Sequence, residues 1–281
     1  MGYRTILLNL QDPKRSEAIV QAGIGLARKF EAHLVGLYVV PKVQYFYATA
    51  AIQVATEVFE AEQRFFDEQA QKNKEIFERE VPGDVVSEWR SIQADGVVTT
   101  DSIVEQAICA DLVLTGQIDP EEGMEGDIGT PERLVMESGR PVLVIPYAGR
   151  FESIGDNVLV AWNGSREAAR ATFDALPLLN KARSVKLLWA NPETEDGGNG
   201  NGMPGSEMAS TLSRHDIKVE AGHSATRDVG VGDELLSRAA DQGADLLVMG
   251  AYGHSRVREY VFGGATRHIL QHMTVPTLLS H

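Results

Sequence analysis

Ala110-Asp111-Leu112-Val113-Leu114-Thr115-Gly116 returns as Ala244-Asp245-Leu246-Leu247-Val248-Met249-Gly250. Both are short, near-continuous apolar runs, the pattern of parallel strands buried on two faces. Each is followed by a loop, a helical pattern and a proline-led run: Pro141-Val142-Leu143-Val144-Ile145 and Pro276-Thr277-Leu278-Leu279. Upstream, Ile6-Leu7-Leu8-Asn9-Leu10 matches Val158-Leu159-Val160-Ala161-Trp162. A period near half the chain means two similar domains rather than a solenoid, whose repeats are much shorter. The expected domains are residues 1–147 and 155–281, linked through Tyr147-Ala148-Gly149-Arg150.

Within each half, apolar runs alternate with helical periodicity. Strands are expected near 5–10, 33–40, 84–92, 111–115 and 141–146, then 157–162, 184–190, 216–221, 244–249 and 275–279. Helices are expected near 14–30, 50–80, 97–109 and 130–138, then 166–179, 205–215, 231–242 and 264–272. Such alternation predicts right-handed βαβ crossovers and an α/β, doubly wound, Rossmann-like architecture. The halves differ in the second helix. The first half has an aromatic stripe of Val54, Val58, Phe65, Phe66, Ala70 and Phe77, read as packing. The second has Gly197-Gly198-Asn199-Gly200-Asn201-Gly202, read as a surface loop.

The chain of 281 residues carries a net charge of −14. Residues 1–147 hold 24 acidic and 13 basic side chains, so most of that excess lies in the first half. This excludes the basic footprint of a sequence-independent nucleic-acid binder and of a polybasic membrane-surface protein. The single Cys109 excludes a disulfide framework and fits a reducing compartment; it is expected as a buried thiol. Apolar runs are strand-sized and no signal-peptide layout is read at the start, so a cytoplasmic protein is expected.

Ligands of open α/β sheets bind beyond the carboxyl ends of the strands. In the second half those ends carry Trp162-Asn163-Gly164-Ser165, Trp189, and Gly250-Ala251-Tyr252-Gly253-His254-Ser255-Arg256. Ten residues after Gly253 comes Gly263-Gly264-Ala265-Thr266-Arg267, opening the next helix. Glycines let backbone approach a ligand, and a helix start presents free N–H groups with the positive dipole end behind them. Thr266 offers a hydroxyl to an anion. His254, Arg256, Arg258 and Arg267 offer positive charge, or salt bridges to the acidic first half. Trp162 and Trp189 either wall an aromatic pocket or fill the core. The spacing is neither a Walker A loop nor a dinucleotide fingerprint.

On these residues the second half resembles a universal stress protein domain. That family carries Gly-x2-Gly-x9-Gly-Ser/Thr after its fourth strand, and Gly250, Gly253 and Gly263 stand at that spacing. Asn163-Gly164-Ser165 stands where the family often has Asp-Gly-Ser, and Gly264 stands at its Ser/Thr position. The likeness runs through both halves in order, implying a tandem universal stress protein. It implies five-stranded parallel sheets of order 3-2-1-4-5, paired through the last strands as a pseudo-dimer, with a homodimer as a further expectation. In ATP-binding members adenosine lies over the first two strand ends and phosphates meet the glycine loop. The implied ligand is ATP, AMP or another adenine nucleotide, with Mg²⁺ as its companion. The implied contacts in this chain are Trp162, Asn163, Gly164, Trp189, Gly250, Gly253, His254, Gly263, Gly264, Ala265 and Thr266.

The first half departs further. Gly116 and Gly129 keep the spacing and Thr130 falls on the Ser/Thr position, but Asp119 stands where Gly253 does. Asp119, Glu121, Glu122, Glu125 and Asp127 would repel a triphosphate, so this half reads as a degenerate partner. No catalytic constellation or metal motif stands out, and His268 and His272 read as surface or interface side chains. Three functions remain open. One is a nucleotide-binding signalling module; another is a nucleotide-free protein acting through partners; the third is a small-molecule binder using the same cleft.

Overall fold

The computed structural model describes residues 2–42, 52–95, 98–118, 129–151, 153–190, 205–224, 229–253 and 264–281. The first half runs β1 (Thr5–Asn9), α1 (Pro13–Phe30), β2 (His33–Val40), α2 (Ile52–Glu80), β3 (Ser87–Gln93), α3 (Thr99–Ala107), β4 (Leu112–Gly116), α4 (Thr130–Glu137) and β5 (Val142–Ile145). The second runs β6 (Asn157–Ala161), α5 (Arg166–Asp174), α6 (Leu176–Leu179), β7 (Ser184–Ala190), α7 (Ser206–Ser213), β8 (Val219–Ser224), α8 (Val231–Asp241), β9 (Leu246–Gly250), α9 (Gly264–His272) and β10 (Thr277–Ser280).

The two halves share one sheet. Its ten strands run β3-β2-β1-β4-β5-β10-β9-β6-β7-β8, all neighbours parallel except β5 and β10. That antiparallel pair registers Thr277 with Val144 and Leu279 with Val142, satisfying both last strands and leaving no exposed edge between the halves. One face buries Ile6, Leu8, Leu114, Val158, Val160 and Val248. The other buries Leu7, Val113, Leu134, Leu159, Leu247 and Ile269, following the period-two alternation of strand side chains.

The repeated aspartates begin the strands. Asp245 accepts from the backbone N–H groups of Gly155 (3.1 Å), Asp156 (3.0 Å) and Asn157 (2.9 Å). Asp111 does the same for Arg4 (2.7 Å) and Thr5 (2.9 Å). Those donors lie at or just before the first residues of β1 and β6, where the aspartates supply their acceptors.

Several expectations need correction. The helix expected over 166–179 breaks into α5 and α6, because Pro177 lacks the N–H that a continuous helix requires. The strand expected at 216–221 begins only at Val219, after Asp216 takes a left-handed turn at φ 62°. The aromatic stripe of α2 is not all core. Phe77 is buried against Trp89 and over Gly36, but Phe65 is exposed. The side chains of Val54 and Val58, and the loop Gly197–Gly202, lie outside what is described. Cys109 is exposed rather than buried, because it follows the end of α3 instead of sitting on its packed face.

Candidate functional site

The turn after β6 is built to start α5. The Asn163 side chain accepts from the Ser165 N–H (3.0 Å), and Ser165 Oγ accepts from the Ala168 N–H (3.1 Å) as an N-cap. Gly164 between them is left-handed at φ 74°, a conformation glycine adopts without strain. The Trp189 ring lies 3.3 Å from where a Cβ on Gly164 would stand, so the ends of β6 and β7 meet through these two residues. Trp162 is partly buried and packs against the core.

Gly250 and Gly253 prove to be different in kind. A Cβ on Gly250 would lie 2.4 Å from the Ala168 nitrogen and 2.4 Å from the Glu167 carbonyl carbon. The first turn of α5 therefore rests on β9, and the glycine serves helix–strand packing rather than close approach of a ligand. A Cβ on Gly253 would lie 2.8 Å from Glu167 Oε2 and 3.5 Å from Ser165 Oγ. Glu167 was not singled out by sequence, yet it is buried beneath this loop. Burial pushes its pKa up, but hydrogen bonds from Arg166, its own backbone and Ser165 outweigh this and hold it below the usual carboxylate range. Its place in the first turn of α5 also favours the anion.

Thr266 is buried, and its Oγ1 accepts from the Tyr252 N–H (3.3 Å). Gly264 is exposed, with no heavy atom of the described residues within 4 Å of a Cβ position, and Ala265 beside it is half-buried. His254, Arg256, Arg258 and Gly263 lie outside the described residues.

The two halves meet beside this region. Gln117 Nε2 donates to the Leu270 carbonyl (2.9 Å) inside the protein. Glu132 of α4 has its Oε2 buried without a hydrogen-bond partner among the described residues. Burial raises its pKa, with Arg267 of α9 opposing the shift. Arg267 thus acts electrostatically on the first half. The Tyr252 hydroxyl titrates well above the ordinary tyrosine range through burial and the nearby Glu132. A carboxylate with a raised folded-state pKa favours the fold at low pH and opposes it as pH rises through that pKa. Glu132→Gln is therefore expected to raise the urea midpoint at pH 7. The gain should disappear below the ordinary value of 4.5, where folded and unfolded wild type both carry the proton.

In the first half the corresponding positions are internally satisfied. The Gln11 amide donates to the Val39 carbonyl (2.8 Å) and accepts from the Val39 N–H (2.8 Å), tying the ends of β1 and β2 together. The Thr130 and Thr100 hydroxyls hydrogen-bond at 3.0 Å. The acidic loop, with Asp119, Glu121, Glu122, Glu125 and Asp127, lies outside the described residues.

His268 and His272 stack at 4.3 Å. His272 Nδ1 meets the His268 carbonyl (3.0 Å), and His268 Nε2 lies 2.9 Å from Asp233 Oδ1. Among the described residues no three metal-ligating side chains converge, and no helix is long and apolar enough to cross a membrane.

Residues 155–281 match the model of the universal stress protein family. A universal stress protein of Synechocystis sp. is 28% identical over 159 residues, covering 55% of this chain and 52% of that relative. The chain thus matches about half the length of this curated relative. Over nearly the whole chain the fold is similar to a universal stress protein from Archaeoglobus fulgidus DSM 4304. That likeness has a TM-score of 0.67 at 16% identity and covers 98% of this chain and 97% of that one. A functionally unknown protein from Pseudomonas aeruginosa PAO1 is similar at a TM-score of 0.61 and 14% identity, covering 99% and 92%. The structural likenesses concern fold alone, whereas the likeness of residues 155–281 to the universal stress protein family rests on sequence.

Proposed function

We propose that the second domain binds an adenine nucleotide and that the chain acts in stress response by regulation through protein contacts. In this reading adenosine lies over the ends of β6 and β7, beside Asn163, Gly164 and Trp189. The phosphates lie at the start of α9, near Gly264. The observation that carries the reading is Gly264 itself: an exposed helix start at the carboxyl end of the sheet, with no heavy atom of the described residues within 4 Å of its Cβ position. The first domain completes the sheet and holds no nucleotide, which its Gln11 and Thr130 bonds support. We assign no catalytic step.

The Glu167 carboxylate favours a second reading, in which the cleft holds no nucleotide and only partner contacts matter. Denaturing extraction with mass spectrometry, then ATP titration of the stripped protein with and without Mg²⁺, separates the two. About one ATP or AMP per chain with saturable rebinding supports the first. A clean extract without binding at millimolar ATP supports the second.

Gly264→Ser adds a hydroxyl that collides with none of the described residues. One added hydrogen bond to a charged oxygen corresponds to roughly tenfold tighter ATP binding. Unchanged affinity in the titration would remove the phosphates from this helix start.

A further inference from the structure

A cavity of about 460 Å³ lies where the two halves meet, lined by Gly2, Arg4, Lys29, Phe30, Glu31, Pro177, Asn180 and Lys181. Its size falls within the range of small-molecule sites, which favour domain interfaces. Arg4 immediately precedes β1 and Lys181 lies three residues before β7, so this is the amino-end side of those strands. The cleft at Gly164 and Gly264 is elsewhere.

Its chemistry is unlike the rest of the chain. Against a net charge of −14, three cations line it and Glu31 is its one carboxylate. Lys29 is already committed. It donates to the carbonyls of Ile154 (3.0 Å) and Gly155 (3.1 Å) and pairs with Asp156 (3.3 Å). Among the described residues Lys181 has no carboxylate partner. It donates to the Lys29 carbonyl (2.6 Å) and lies 5.4 Å from the centre of the Phe30 ring. Arg4 is anchored by its backbone N–H on Asp111. Among the described residues its guanidinium has no hydrogen bond or ion pair. Phe30 and Pro177 supply the apolar wall.

We propose that this interdomain cavity binds a small organic anion. Its carboxylate or phosphate faces Arg4 and Lys181, and its apolar part lies along Phe30 and Pro177. Because Arg4 and Phe30 come from one half and Pro177 and Lys181 from the other, the anion bridges the halves. The site is independent of the nucleotide reading.

The test is isothermal titration of the full chain with phenyl phosphate and, separately, benzoate, which distinguishes phosphate from carboxylate as the preferred group. One saturable site per chain is expected for at least one probe. Arg4→Gln combined with Lys181→Gln should weaken it by about tenfold or more. Circular dichroism and urea unfolding should show the variant folded. Arg4→Gln alone, which leaves the backbone bond to Asp111 intact, should weaken it by a smaller factor. Equal affinity in folded wild type and double variant, or no saturation by either probe at roughly 20 mM, overturns the proposal.

Discussion

Gly250→Ala is expected to destabilise the protein by about 3 kcal/mol or more, or to prevent folding of the second domain. The new methyl would stand 2.4 Å from backbone atoms of Glu167 and Ala168, which move only if α5 lifts from the sheet. Lifting α5 also disturbs the Ser165 cap and the buried Glu167. Gly116 occupies the matching place in the first half. There an added methyl meets the Ile19 side chain at 3.4 Å and Arg15 at 3.6 Å, ordinary contact distances. Gly116→Ala should therefore change stability by less than about 1 kcal/mol, with reduced unfolded-chain freedom offsetting any crowding. Urea unfolding of both variants checks the contrast. Similar losses at the two sites would mean that the motif glycines share one role.

Asp245→Ala should cost about 2–4 kcal/mol. It removes a charged acceptor from three backbone N–H groups at the entry to β6, and none gains another protein partner. Asp245→Asn retains one carbonyl acceptor and should lose about half as much. Asp111→Ala removes two such bonds and should fall below Asp245→Ala in the same urea series. If alanine at either aspartate is silent, the repeated acidic residue has no part in strand entry.

The repeat that contains these residues was legible from the start. Residues 110–116 and 244–250 declare two strands of like environment, and the proline-led runs after them became β5 and β10. The role of the aspartates inside that repeat was missed, because their partners at Arg4 and Gly155 lie in unpatterned sequence. The cleft was legible as a set of glycines but not as their separate duties. Gly164 serves a left-handed turn, Gly250 a helix resting on a strand, and Gly264 makes no packing contact among the described residues.

The sequence by itself determined the α/β alternation, the return of 110–116 as 244–250 and the net charge of −14. These follow from periodicity and composition, which neighbouring residues carry along the chain. Only the tertiary structure decided the antiparallel register in which β5 meets β10, and that Thr266 is engaged by Tyr252. It alone brought Glu167 beneath Gly253 and joined Arg4 and Phe30 to Lys181 in one cavity. Those partners are far apart in the chain, and their meeting is set by how helices seat on a twisted sheet, which local pattern does not encode.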